Sequence, residues 1–320
     1  MDILSDILKV IKLEGSLFFN GEFSSPWCLY SRLTKEVTQA LSPGAGHLII
    51  YHLLTEGRAY ARLADGRQVE LVAGDIVILP HGDPHFLGNG SPANAVDSFK
   101  TFAKNLTEGL RLARFAGGGE ITRFVCGFMA CEARLSEIFL AGLPPILKVH
   151  IGAEPSGQWI ENSIRFSAGE GDEANAGSAL VQTKLSEVLF VETLRRYISS
   201  LPSDQIGWLA GARDPVVGRA LALLHKDPAH PWTVTELARG AGLSRTRLSE
   251  RFRRFLGQSP MAYLGQWRLK LAAQMLQAAD DNIAQVATAV GYGSEASFNR
   301  AFKREYGRPP AKFRRVHQKQ

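Results

Sequence analysis

Two sets of polar side chains near the C-terminus have the chemistry and the spacing needed to read the edges of DNA bases. They are Thr246, Ser249, Glu250 and Arg253, and then Ala296, Asn299, Arg300 and Lys303. Spacings of three, four and seven residues place each set on one face of a helix. Arginine pairs bidentately with guanine, asparagine with adenine and glutamate with the cytosine amino group, while alanine and threonine methyls touch the thymine methyl. We predict that both sets enter a major groove of double-stranded DNA.

Four further residues at the starts of the same two helices complete the predicted DNA-binding set. Arg245 and Arg247 are expected beside phosphates, where they would position the first helix. Ser294 and Glu295 begin the second helix. The alternative is that all these side chains form the ordinary polar surface of a helical bundle, so the surrounding elements must decide.

An internal repeat supplies those elements. Four positions recur after 50 residues, namely Leu248, Phe252, Gly257 and Pro260 as Phe298, Phe302, Gly307 and Pro310. Ala238 and Gly242 recur after 49 residues as Ala287 and Gly291. Each copy predicts a short helix, a tight turn with glycine at positive φ, and a longer helix, which is a helix-turn-helix unit.

Local signals mark the boundaries of the two units. Thr233 with Glu236, and Asn282 with Gln285, are capping boxes for the short helices, and Ser244 and Ser294 can cap the longer ones. Residues 261–278 between the units have helical periodicity. A helix of that length spans ~27 Å, so it could hold two reading heads about one DNA turn (~34 Å) apart.

The C-terminal third resembles a known family. The residues that carry the resemblance are Gly291, Tyr292, Ser294, Phe298, Arg300, Phe302, Lys303, Gly307, Pro310, Phe313 and Arg314. They are similar to the signature of the AraC/XylS family of bacterial transcription regulators. The resemblance implies a DNA-binding domain over residues 214–320 with two helix-turn-helix units, operator binding through both, and regulation of nearby promoters, usually activation through contact with RNA polymerase.

Charge distribution agrees with a nucleic-acid partner. The net charge of +6 comes from 37 basic and 31 acidic residues. Residues 1–213 hold 19 basic and 23 acidic groups, whereas residues 214–320 hold 18 and 8, so the excess of positive charge lies in the last third. No apolar run approaches the ~18–20 residues of a membrane span, and Asp2 and Asp6 occupy a start that would be basic in a signal peptide. These features predict a cytoplasmic chain without a membrane partner.

The first half alternates apolar segments with turns such as Glu56-Gly57 and Asp65-Gly66, which predicts an antiparallel barrel or sandwich. Gly74, Pro80, Gly82, His85 and Asn89 match the second cupin motif. Only His52 fits the first motif, whose other ligand places hold Leu54 and Arg58. The half therefore resembles the cupin-like sensor domain found before some AraC-type domains, and His52 and His85 are candidates for binding a small effector or a divalent metal. Alternatively, His52 only forms a hydrogen bond within a strand, and His85 only closes a turn.

The resemblance also implies a redox function for cysteine, because part of this subfamily responds to reactive chlorine or related oxidants. Cys126 lies at the position of one sensing thiol, and Cys28 lies near the place of the other. The alternative is a buried, inert thiol, which is the commoner state of a free cysteine. The three cysteines form no CxxC pair, which disfavours structural zinc.

These observations predict an α+β multidomain protein. Residues 1–177 form the cupin-like barrel, residues 178–213 a helical arm and linker that could mediate a homodimer, and residues 214–320 the DNA-binding domain. Residues 100–120 are expected to be an inserted flexible loop, and residues 207–213 a hinge. The function predicted is a DNA-binding regulator, not an enzyme, controlled by an unidentified oxidant, metal or small molecule. The alternative class is a cupin metalloenzyme fused to a DNA-binding domain.

Overall fold

The computed structural model describes residues 4, 5, 8, 13–102, 112–115, 117–131, 140, 142–169, 176–202, 205–278 and 282–317. The chain divides into two compact units, one formed by Lys12–Ser200 and the other mainly by Leu201–Gln320. The described strands all lie in the first unit, and the second is helical. The predicted α+β multidomain class is therefore confirmed. The segment 178–213, expected as one arm and linker, is shared between the two units.

The first unit contains two facing sheets. Its strands are β1 (Glu14–Ser24), β2 (Cys28–Ser31), β3 (His47–Glu56), β4 (Arg58–Leu63), β5 (Gln68–Val72), β6 (Asp75–Leu79), β7 (His85–Gly88), β8 (Val96–Asp97), β9 (Leu112–Phe115), β10 (Ile121–Cys131) and β11 (Leu147–His150). One sheet has the order β11-β6-β3-β10-β1-β9, and the other β5-β4-β7-β2-β8. Side chains of both sheets share one core, which includes Phe19, Leu54 and Phe124 from the first and Leu29 and Leu87 from the second.

The burial patterns of two interior strands differ. The strand β4 alternates buried and more exposed residues, as a strand with one solvated face does, whereas β6 is buried throughout. Both predicted turns are present, with Gly57 at φ 79° and Gly66 at φ 92°. At Gly57 a Cβ would also lie 2.3 Å from the carbonyl oxygen of Ile121, so only glycine allows the β3–β4 turn to approach β10.

The predicted inserted loop is only partly a loop. Ser98–Thr101 forms the short helix α2, following α1 (Lys35–Leu41), and β9 pairs in parallel with β1 from Asn20 to Phe23. The expectation of a loop is wrong at these residues, because Ala113 is buried and Phe115 packs on Phe23 at 5.7 Å between ring centres. Residues 103–111 and 116 lie outside the described part of the chain.

Two helices complete the first unit. The helix α3 spans Pro155–Gly169, and α4 spans Ser178–Ser200 and packs on β1 and β10. Gly15 of β1 allows the close approach, since a Cβ there would lie 2.7 Å from the Cβ of Ser186. Tyr51 donates a 2.8 Å hydrogen bond to the Ser186 hydroxyl. The inner face of α4 is therefore fixed to the barrel, while other apolar side chains on α3 and α4 are exposed.

The second unit is built from eight helices within the described residues. They are α5 (Trp208–Arg213), α6 (Pro215–Lys226), α7 (Val234–Ala241), α8 (Arg245–Leu256), α9 (Pro260–Ala278), α10 (Ile283–Ala289), α11 (Glu295–Tyr306) and α12 (Pro310–His317). Helices α7 and α8 form the first helix-turn-helix unit, α10 and α11 the second, and α9 joins them. Both predicted capping boxes are present, and Gly242 and Gly291 have the expected positive φ, 75° and 82°.

The segment expected as a hinge is helical. In α5 the side chains of Trp208 and Leu209 are buried, and the indole of Trp208 donates to the Tyr263 hydroxyl at 3.0 Å. The amide of Gly207 donates to the Phe255 carbonyl at 2.9 Å. Burial of the tryptophan fixes this segment, which was expected as a hinge, to the DNA-binding unit.

Candidate effector site and DNA-reading surface

Three side chains that are far apart in sequence meet inside the barrel. Strand pairing places Cys126 of β10 directly opposite His52 of β3, and the Cys126 sulfur lies 2.7 Å from His52 Nδ1. His85 begins β7 in the facing sheet, and its Nε2 lies 2.8 Å from His52 Nε2. All three residues are at most 5% exposed. The two effector candidates and the main redox candidate are thus parts of one site.

The hydrogen bonds define a single proton arrangement for neutral side chains. His85 Nδ1 donates to the carbonyl oxygen of Asp83 at 2.9 Å, because a carbonyl can only accept. His85 Nε2 is then an acceptor, so His52 Nε2 donates to it. His52 Nδ1 therefore accepts from the Cys126 thiol. A continuous chain of donors leads from the sulfur to a main-chain carbonyl.

Burial keeps this chain uncharged. It lowers the pKa of His52 well below its ordinary value, with the nearby His85 adding to the effect, and lowers the pKa of His85 to about 4. It raises the pKa of the Cys126 thiol well above its ordinary value. The resting cysteine is therefore a thiol, and its conversion to the reactive thiolate requires an acceptor for the proton. His52 is in position to be that acceptor.

A small cavity of about 30 Å³ adjoins the site. A cavity needs roughly 10–15 Å³ to hold one water, so this space admits a water-sized molecule or one slightly larger. Cys126, His52 and His85 line it. Its apolar lining is Phe19, Leu29, Leu33, Ile50, Leu87 and Phe99.

The arrangement does not fit a metal ion as it stands. His52 Nε2 and His85 Nε2 are hydrogen-bonded to each other at 2.8 Å, so neither nitrogen is available to a metal in this arrangement. Among the described residues, no group of three or more His, Cys, Asp or Glu side chains could hold a metal. Leu54 and Arg58 occupy the remaining ligand places of the first cupin motif.

The other redox candidate faces elsewhere. Leu29 and Ser31 of β2 line the cavity, so Cys28 is on the opposite face of this strand. Its sulfur lies 3.3 Å from the Tyr60 hydroxyl, which donates to the Gly90 carbonyl. Cys28, Cys126 and Cys131 are all thiols. The structure therefore does not bring the two predicted redox cysteines together.

The predicted DNA-reading residues lie on the solvent side of α8 and α11. Leu248, Phe252 and Phe255 bury one face of α8, and Phe298, Phe302 and Tyr306 bury the matching face of α11. Ten predicted residues are exposed, namely Arg245, Thr246, Arg247, Glu250, Arg253, Ser294, Glu295, Ala296, Arg300 and Lys303. Ser249 and Asn299 are half-buried. Ser249 bonds to the Arg245 carbonyl, and Asn299 to the Glu295 carboxylate at 3.4 Å.

Sequence reasoning missed the connection between α6 and the first reading helix. Arg251 of α8 lies outside both predicted reading sets, and its Nε donates to Asp214 Oδ1 at 3.0 Å. Asp214 also caps α6 by accepting from the amides of Val216 and Val217. The Asp-Pro pair at 214–215 is a helix-start signal, whereas no local signal could identify its partner 37 residues away.

Comparison with known proteins agrees with this architecture. A cupin family model matches residues 2–199, and a helix-turn-helix domain model matches residues 237–316. A Streptomyces lividans protein named as an AraC-like transcription regulator is 32% identical, with 98% of each chain covered. The Escherichia coli activator RclR, named as specific for RCS, is 28% identical over 98% of this chain and 97% of its own. The DNA-binding domain of AdpA in complex with a target DNA is 28% identical over 33% of this chain and 94% of that domain, with a TM-score of 0.32.

A cupin barrel, two helix-turn-helix units and full-length relatives of this kind define a DNA-binding transcription regulator. The chain belongs to the family of AraC-like transcription regulators with an N-terminal cupin domain. The recognition made from the sequence is confirmed, and the alternative of a cupin enzyme is set aside because full-length relatives are named as regulators. In the described part of the chain, no helix is long and apolar enough to cross a membrane.

Proposed function

We propose that this regulator is controlled by oxidation of Cys126, with His52 as the acceptor of the thiol proton. The observation that carries the proposal is the 2.7 Å contact between the Cys126 sulfur and His52 Nδ1 beside a cavity. RclR, a relative along nearly the whole chain, is named as an activator specific for RCS, which supports an oxidant as the signal.

The chemistry needs only a small two-electron oxidant such as hypochlorous acid. The thiol proton moves to His52 Nδ1, and the proton on His52 Nε2 can pass to His85. The thiolate then reacts with the oxidant to form a sulfenic acid, so the sulfur is oxidised by two electrons. The O–Cl bond of the oxidant breaks, its oxygen and hydrogen bind to sulfur, and chlorine leaves as chloride. The proton held by the two histidines is then released, which returns both imidazoles to their neutral state.

Oxidation would change the barrel by removing the hydrogen bond between sulfur and imidazole. A sulfenic oxygen must enter the cavity or displace His52, and either change alters the packing between the two sheets. A signal can shift a conformational equilibrium only by interacting differently with its two states. The altered hydrogen bonding at Cys126 provides that difference.

Cysteine substitution tests the proposal. In cells lacking the native gene, Cys126→Ser should abolish hypochlorite induction of a reporter placed behind the regulated promoter. Cys131→Ser is the matched control, because Cys131 is also buried in β10 but pairs with His47 instead of His52. Trapping with dimedone and mass spectrometry should label Cys126 in the Cys131→Ser variant. Normal induction in Cys126→Ser would refute the redox proposal.

A divalent metal bound by His52 and His85 is the other signal that the sequence suggested. Binding would require the two imidazoles to separate from their mutual hydrogen bond. Elemental analysis of the purified full-length chain, with His85→Gln as the comparison, decides between a metal signal and an oxidant signal. If the native chain holds one equivalent of metal and His85→Gln holds none, the signal is a metal and not an oxidant.

We further propose that the exposed faces of α8 and α11 read two adjacent DNA segments and that the bound regulator contacts RNA polymerase. The support for both reading faces is the equivalent exposure of the two sets in the repeated units. The polymerase contact rests on the family alone. In vitro transcription from the regulated promoter with purified polymerase tests it, with an increase in full-length transcript expected when the regulator is added.

Exposed apolar side chains of α3 and α4 support a homodimer. On α3, Trp159 and Phe166 are seven residues apart and are 61% and 70% exposed. On α4, Val181 and Val188 are also seven residues apart and are 54% and 43% exposed. This spacing puts each pair on one helix face, and exposed apolar side chains that cluster on a surface typically mark an association site. In sedimentation experiments Phe166→Lys should shift the chain toward monomer. Val72→Lys, at an exposed apolar site on β5, should not.

A further inference from the structure

One arginine side chain joins the two helix-turn-helix units. Arg268 lies on α9, and its guanidinium donates to main-chain carbonyls on both sides. Its Nε bonds to the Pro228 oxygen at 2.6 Å, and its Nη2 bonds to the His230 oxygen at 2.8 Å. Its Nη1 bonds to the Gly291 oxygen at 3.1 Å. The first two carbonyls precede the first unit, and the third lies in the turn of the second.

The two segments held by Arg268 also contact each other directly. A Cβ on Gly291 would lie 2.6 Å from the Ala229 oxygen and 2.7 Å from the Ala229 Cα. The turn of the second unit therefore rests on the loop that leads into the first. Gly291 is required here for two reasons, the close approach and its φ of 82°.

The loop before the first unit is itself well braced. Asp227 Oδ1 accepts from the His230 amide at 3.0 Å, and the Asp227 carbonyl accepts from the Trp232 indole at 2.8 Å. The loop then enters the Thr233 capping box that starts α7. A displacement at 228–230 would therefore be transmitted to the first unit.

We propose that Arg268 is a positioning residue that fixes the separation and orientation of the two reading helices. The helix α9 joins the units and packs on both, and Arg268 adds hydrogen bonds that tie the loop before the first unit to the turn of the second. The affinity gained by linking two binding sites is greatest when the link holds them at the same separation as their two targets. Arginine suits this role because its planar fork donates in several fixed directions, which an ammonium group cannot do.

The test uses DNA duplexes selected from a random library by the native full-length chain, followed by footprinting. Arg268→Ala should lose about tenfold or more in affinity for the intact duplex and less than about twofold for a duplex with one half-site scrambled. Inserting three base pairs between half-sites rotates one by about 100° and should weaken native binding about tenfold. The same insertion should cost Arg268→Ala much less, because its units are no longer held in one orientation.

Three matched variants complete the design. Arg268→Lys keeps the charge and should behave as Arg268→Ala, and Gly291→Ala should loosen the same junction from its other side. Arg219→Ala removes an exposed charge from α6 and should preserve the native dependence on spacing. Unchanged spacing dependence in Arg268→Ala, or an equal loss on the single half-site, would overturn the inference. The inference rests on the proposal that both units read DNA, and a native footprint covering one half-site would refute that proposal instead.

Discussion

At the scale of single residues, the central feature is a buried cysteine that is hydrogen-bonded in a chain with two histidines. Neither histidine carries a charge at neutral pH, because burial lowers both pKa values. His52 therefore keeps a free lone pair on Nδ1 to accept the Cys126 proton. This arrangement is compatible with a thiol that stays inert until a small oxidant enters the cavity.

Removing the proton acceptor should slow oxidation of Cys126. We expect His52→Gln to reduce the rate of sulfenic acid formation at least about tenfold, since a positioned base typically contributes a factor of about 10² or more. The rate should be measured by stopped-flow mixing with hypochlorite and dimedone trapping. His47→Gln, on the same strand with its ring against the Pro80 carbonyl, is the control and should react as the native chain does. Equal rates in both variants would exclude His52 as the base.

The buried histidines should also make the barrel sensitive to acid. An unfolded histidine titrates near 6.5, whereas the folded pKa of His85 is about 4. Between these values the unfolded chain binds a proton that the folded chain excludes, so stability is lost as pH falls from about 6.5 to about 4. The loss from His85 should reach up to about 3 kcal/mol, since one pKa unit corresponds to about 1.4 kcal/mol. Urea unfolding at several pH values measures it, and His85→Gln should show a smaller dependence.

At the scale of elements, each reading helix is defined by its buried face and its cap. Phe298 and Phe302 anchor α11, and Ser294 caps it by accepting from the Ser297 amide at 3.2 Å. The same features recur in α8 with Leu248, Phe252 and Ser244. Burial of one face leaves the predicted DNA-reading set on the other.

Within α11, Arg300 should contribute to sequence specificity. Loss of a bidentate contact with guanine costs about 1–3 kcal/mol, so Arg300→Ala should weaken operator binding by that amount and relax the preference at one base pair. Binding to a panel of single-base operator variants measures both effects. Arg304, also exposed on α11 but outside the predicted set, is the matched control, and Arg304→Ala should lower affinity evenly across the panel. An operator affinity unchanged by Arg300→Ala would contradict the role of the second unit.

At the scale of the whole molecule, charge is divided between the parts of the chain. Residues 214–320 carry 18 basic and 8 acidic groups, whereas residues 1–213 carry 19 and 23. Positive charge is thus concentrated in the part of the chain that contains α8 and α11. The acidic excess elsewhere leaves the rest of the chain without a general attraction to DNA.

This distribution predicts a steep dependence of DNA affinity on salt. Each phosphate neutralised contributes about −0.9 to the slope of log affinity against log salt concentration. With two units contacting the backbone, we expect a slope steeper than about −4, measured by fluorescence anisotropy between 50 and 200 mM salt. Arg245→Ala should reduce the slope by about one, because this residue is predicted beside a phosphate. A slope near zero would contradict binding through the basic surface.

The helix-turn-helix units were predictable because their signals are local. Each signal acts over only a few residues, as do the capping box of Thr233 with Glu236 and the turn glycine Gly242. The 50-residue repeat then shows the same local pattern a second time. The barrel was predictable as a class from alternating strands and turn glycines. The segments that were misjudged, residues 112–115 and 207–213, take their structure from distant partners such as Phe23 and Phe255.

The sequence by itself determined the class of protein, the two helix-turn-helix units and the identity of the candidate residues, since these depend on short-range periodicity and residue chemistry. Only the tertiary structure decided that His52, His85 and Cys126 form one site, because they lie 33 and 74 residues apart and meet through strand register and the facing of two sheets. The same holds for Arg268, whose acceptors are main-chain carbonyls that no side-chain pattern can reveal. Register and packing place atoms to within hydrogen-bond distance, and local sequence does not encode that precision.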